Sequence, residues 1–97
     1  MKTNRSGKIP VLRVQVQPNV DGTLSAVYFY IRSGKSVRTI EHADGNVFAD
    51  YDRRGRLLGI ELLGPCDIKL LSKIAREEPL PVRTFLRNAI PREMAIA

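Results

Sequence analysis

An α+β fold is predicted: an antiparallel β-meander of four to five strands with a C-terminal helical pair packed on one face. Two observations carry it. Apolar residues alternate with period two in short runs between Val11 and Leu63, and turn signals separate those runs. After Pro65 the apolar period changes to that of a helix. Strands that run first and helices that follow are the mark of an α+β chain.

The first strand is expected over 11–17, where Leu12, Val14 and Val16 share one face and Arg13, Gln15 and Gln17 the other. Pro18 and Asn19 stop it, and Asp21-Gly22 turns the chain. The second, 23–31, is apolar on both sides at its centre, as a central or interface strand would be. Ser33-Gly34-Lys35-Ser36 is a loop, 37–41 a short third strand, and Ala43-Asp44-Gly45-Asn46 a turn. Residues 47–52 and 56–63 form a hairpin around Asp52-Arg53-Arg54-Gly55, a type I turn with a glycine bulge.

Ile68, Leu71, Ile74 and Ala75 recur at helical spacing after Asp67, a capping residue, and define a helix over 67–77. Val82, Phe85, Leu86, Ala89 and Ile90 make an amphipathic stripe over 81–90, with Pro81 suited to the first turn. Leu71, Ile74, Phe85 and Leu86 are expected to pack on a sheet face of Val27, Phe29, Val47, Ala49, Leu58 and Ile60. The organisation is then a basic arm (1–10), one α+β domain (11–90) and a tail (91–97).

The chain has 97 residues, which suits one domain, and a single cysteine, which excludes an internal disulfide and a dithiol redox site. One histidine excludes a Cys/His zinc finger. The longest apolar run, Ala26 to Ile31, is far shorter than the ~20 residues of a spanning helix. No membrane association and a cytoplasmic location are expected. Net charge is +6, concentrated at the front: residues 1–40 hold seven Lys/Arg against one Asp. Such a field attracts polyanions or acidic partners.

The tyrosine-rich Tyr28-Phe29-Tyr30-Ile31-Arg32, the Val37-Arg38-Thr39-Ile40-Glu41 strand, the Asp44-Gly45-Asn46-Val47 turn and the hairpin from Asp50-Tyr51-Asp52 to Gly59-Ile60-Glu61-Leu62-Leu63 carry a likeness. Together, over residues 28–63, they resemble the domain-of-unknown-function 2283 family of small prokaryotic proteins. The resemblance implies an antiparallel β domain and no assigned catalytic residue. It also implies an antitoxin-like role as partner of a small toxin. The arm and the helical segment 66–90 lie outside it.

No constellation points to catalysis, a metal or a cofactor. Glu41 and His42 are strand neighbours and face opposite ways. Asp50 and Asp52 share a strand face and serve as turn and solubility charges. Cys66 has no dyad partner, and the serines lack a nucleophile elbow. The expected function is a non-enzymatic protein-interaction module that homodimerises through Tyr28, Tyr30, Phe48, Leu57 and Leu63, on the face opposite the helices. Asp50 and Glu61 on that face argue against it, because charge is depleted from interface cores. The alternative is nucleic-acid binding, using Arg5 and Lys8 of the arm, Arg32 and Lys35, and the hairpin tip Arg53-Arg54-Arg56.

Overall fold

A computed structural model describes residues 10–96. The expected positions Arg5 and Lys8 lie outside the described residues. Five strands form one antiparallel sheet: β1 (Arg13–Pro18), β2 (Leu24–Tyr30), β3 (Arg38–His42), β4 (Val47–Tyr51) and β5 (Leu57–Leu62). A short β6 (Cys66–Asp67) leads into α1 (Ile68–Ile74), α2 (Leu80–Ala89) and β7 (Ala95–Ile96). The α+β class and the C-terminal helices are those the periodicity predicts.

The strand order is β1-β2-β5-β4-β3, so the meander is not strictly sequential. Hairpins join β1 to β2, β3 to β4, and β4 to β5. The β2–β3 connection instead carries the chain to the far edge, and β5 returns to pair with β2. The strand at the centre, β5, is accordingly the most completely buried. The turn at Asp52–Gly55 has the predicted form: Gly55 donates to the Asp52 carbonyl at 2.9 Å and takes a φ of 79°, which glycine adopts without strain.

One sheet face is the core. Val27, Phe29, Val47, Ala49, Ile60 and Leu62 are fully buried there, under Leu71 and Ala75 of the first helical segment and Val82 and Leu86 of α2. Phe85 is only partly buried, and meets Phe29 edge to face at 6.0 Å. Asp67 caps α1 as expected, accepting a hydrogen bond from the Lys69 amide at 2.9 Å. The stretch read as a tail packs too: Met94 is buried, and β7 pairs in parallel with β6.

Two expectations are corrected by one irregularity. The register slips between Asp50 and Tyr51, so that Tyr51 pairs with Leu57 while Asp50 pairs with Gly59. Leu58 is the extra residue, and the amides of Ile31 and Arg32 both donate to its carbonyl. Such a bulge breaks the strict alternation of faces. Leu57, expected in a dimer patch, is 2 % exposed and belongs to the core cluster. Leu58, expected in that core, is buried at 5 % exposed but lies outside the core cluster, and lines a groove with Tyr28 and Tyr30 of the opposite face.

Candidate functional site: the open sheet face and its basic end

Helices cover one face of the sheet. The other presents Arg13, Gln15 and Gln17 from β1, Tyr28 and Tyr30 from β2, Phe48 and Asp50 from β4, Glu61 from β5, and Thr39 and Glu41 from β3. None of these is fully buried. Of the patch expected from sequence, Tyr28, Tyr30 and Phe48 are here. Leu63 is exposed just beyond the end of β5, and Leu57 is in the core. Acids divide what remains, because Phe48 pairs across the strands with both Glu41 and Glu61.

A polar chain crosses this face. The Tyr28 hydroxyl donates to Asp50 Oδ2 at 2.7 Å, and the Thr39 hydroxyl donates to Asp50 Oδ1 at 2.6 Å. To reach Asp50 on β4, the Tyr28 ring must lie across β5, and Gly59 makes the room: a Cβ there would fall 2.6 Å from two ring carbons. A glycine inside a central strand is otherwise a weakness. Burial, then the bond to Asp50, holds the Tyr28 phenol well above its usual pKa. Gly59→Ala should displace this ring and cost about 1–3 kcal/mol of stability in denaturant unfolding. An unchanged midpoint would mean that the ring moves aside freely.

At the end of the sheet nearest the Asp52–Gly55 turn, two loops meet. Gly34, Lys35 and Val37 from the β2–β3 loop line an open cleft of about 470 Å³ with Asp52, Arg53, Arg54 and Arg56 of the hairpin. Asp52 is already engaged. It accepts from the Arg54 and Arg56 amides at 2.9 Å each and from Arg56 Nε at 2.8 Å. The Arg56 amide bond foremost, with burial opposing, holds its carboxyl below the usual aspartate range. Arg56 Nη1, by contrast, is buried without a partner among the described residues. Lys35, Arg53 and Arg54 are exposed, as is Arg38, which stands 5.5 Å over the Tyr51 ring.

Of the sequence-predicted basic residues, the structure therefore brings Lys35, Arg53, Arg54 and Arg56 to one cleft. Arg32 is a correction. It is 7 % exposed, with Nη1 donating to the Leu57 carbonyl at 3.0 Å and Nη2 to Glu78 Oε1 at 2.6 Å. Its charge is spent on holding the α1–α2 linker to the sheet, not on a ligand in solvent. Asp50 and Asp52, which looked like a carboxylate pair, have separate sets of partners because the bulge lies between them. Sequence reading missed the Tyr28–Asp50–Thr39 chain. Its only signal was the isolated Gly59 in an apolar strand, which marks a close approach.

Residues 25–64 match the model of a family described as "Protein of unknown function (DUF2283)". This stretch is similar to DUF2283. The match begins in β2 and ends just past β5, so it holds the four adjoining strands β2, β5, β4 and β3, the Tyr28–Asp50–Thr39 chain and the basic cleft. Edge strand β1 and both helices lie outside it. The helices thus supply the cover for an apolar face that the matched strands present, namely Val27, Phe29, Val47, Ala49, Ile60 and Leu62. Comparison with curated proteins and with solved structures returns no match. Among the described residues there is no group of three or more potential metal ligands, and no helix is long and apolar enough to cross a membrane.

Proposed function

We propose that this chain is a non-catalytic binding module for a polyanion, nucleic acid, which it engages at the cleft formed by Lys35, Arg53, Arg54 and Arg56. The observation that carries this is convergence. Loops some twenty residues apart in sequence place these cations around one open cleft, whose single carboxylate is already bound by Arg56. Phosphates are held by this kind of surface, and each one displaces condensed counterions when it binds.

Salt dependence is the test. With about three phosphate contacts on a single strand, from the exposed Lys35, Arg53 and Arg54, log K should fall with log salt at a slope near −2. That is roughly a 20-fold loss between 50 and 200 mM salt. Arg53→Ala together with Arg54→Ala should flatten the slope by about 1.4. Binding insensitive to salt, or to this double substitution, would sink the proposal.

A second copy of the chain or a small toxin would instead use the open sheet face, where Tyr28, Tyr30 and Phe48 are each half-buried. Glu41, Asp50 and Glu61 interrupt that surface and weaken the dimer reading. Light scattering separates the two: the polyanion reading expects a monomer mass for the free protein, and a dimer dissociated by Tyr30→Asp would favour the open face.

A further inference from the structure

We propose, building on the polyanion reading above, that the ligand is single-stranded and that one of its bases stacks on Tyr30. A second groove supports this. It holds about 330 Å³, is lined by Arg13, Tyr28, Tyr30, Ser33 and Ser36 among others, and shares Gly34 with the basic cleft; its one carboxylate, Asp50, already accepts from the Tyr28 and Thr39 hydroxyls. A strand whose phosphates lie in the cleft therefore has a continuous path over Gly34 to an aromatic pair.

The pair suits a nucleobase. The Tyr28 and Tyr30 centroids are 4.5 Å apart with planes inclined by 59°, so one ring braces the other. Tyr28 is itself fixed by Asp50 and by its seat over Gly59. Arg13 stands over the Tyr30 ring at 4.4 Å from its centroid, and its side chain is exposed. An exposed cation–π contact is weaker than the stacking of a base on an aromatic ring. A base displaces Arg13 from the ring and leaves its guanidinium for the neighbouring phosphate.

The groove also has polar groups for a backbone. Ser33 and Ser36 bring hydroxyls, and no hydrogen bond joins the amides of Ser33, Gly34, Lys35 and Ser36 to another group among the described residues. The surrounding charge limits how far a strand can run. Glu61 lies beside Tyr28, one step further along the face than Tyr30, and Glu41 lies beyond it across Phe48. The acids repel phosphate there, so the strand is held at the Arg13 end. A duplex keeps its bases stacked inside and offers Tyr30 nothing, which makes strandedness the deciding property.

The experiment is fluorescence anisotropy on the full chain with three ligands at one salt concentration. These are a labelled oligothymidylate of about a dozen nucleotides, its duplex with oligoadenylate, and heparin, which has charge but no bases. The single strand should bind more tightly than the duplex. Tyr30→Ala should lose about 5- to 100-fold toward the single strand and leave heparin binding unchanged, with a parental circular-dichroism spectrum showing that the variant is folded. Tyr30→Phe keeps the ring and should bind as the parent does. Equal affinity for strand and duplex, with Tyr30→Ala silent, overturns the stacking inference and leaves the cleft standing if Arg53→Ala with Arg54→Ala still weakens heparin. Failure of all three ligands to bind in about 50 mM salt overturns both.

Discussion

Phe29→Ala should lower the stability of the fold by about 3–5 kcal/mol. Phe29 has no exposed surface, and it sits in an interior strand, β2, between Val14 of β1 and Ile60 of β5. Removing its ring deletes the transfer free energy and leaves a cavity that a five-stranded sheet cannot close by local collapse. It also removes the edge-to-face contact with Phe85, and so loosens α2. A domain of this size holds only about 5–15 kcal/mol in total, so the thermal midpoint should drop by more than about 10 °C. A loss below about 1 kcal/mol would show that the helices do not dock on this face. Phe85→Ala should cost less than Phe29→Ala, because Phe85 is only partly buried.

Glu78→Ala should cost about 2–3 kcal/mol, below the ~3–5 expected for a wholly buried pair. The Glu78 side chain keeps 16 % of its surface in water, whereas the Arg32 side chain keeps 6 %. Losing the carboxylate leaves Arg32 buried and charged, with the Leu57 carbonyl as its remaining acceptor. Arg32→Leu combined with Glu78→Leu should recover much of the loss, since the pair repays little more than its own desolvation. If the double substitution is as damaging as Glu78→Ala, the pair contributes net stability instead. Arg32 immediately precedes the Ser33–Ser36 loop, so Glu78→Ala should also weaken polyanion binding without removing any surface cation. Both readouts can be taken on one variant.

The elements were legible in the sequence because burial in this chain follows period. Val27 and Phe29 alternate with Tyr28 and Tyr30, and the structure puts the first pair in the core and the second on the open face. Val82 and Leu86 lie four apart and are both buried on α2. The order of strands was not legible. Pairing β2 with β5 depends on a contact more than thirty residues apart in sequence, and local alternation is the same whichever neighbour a strand takes.

The bulge escaped for a related reason. Leu57 and Leu58 are chemically alike and both buried, and only the register slip at Asp50/Tyr51 decides which joins the core cluster under the helices. Arg32 looked like its fellow cations until the fold brought Glu78 to it across 46 positions of sequence. The basic cleft was half visible. Arg53, Arg54 and Arg56 cluster in the sequence, but their meeting with Lys35 follows from β3 and β4 being paired, so that the Val37 amide donates to the Tyr51 carbonyl at 2.9 Å. Tyr28, Gly59 and Asp50 come from three strands, and no linear pattern brings such a set together.

The most direct measurement is a ¹⁵N-resolved NMR titration of the full chain with the same oligothymidylate. The amide signals of Ser33, Gly34, Lys35 and Ser36 and of Arg53 to Arg56 should shift together with ligand, along with Tyr30. Those of α2, on the opposite face, should stay in place. Shifts confined to Glu41, Phe48 and Glu61, or spread over the helices with the two loops unmoved, would contradict a polyanion site at the basic end of this sheet.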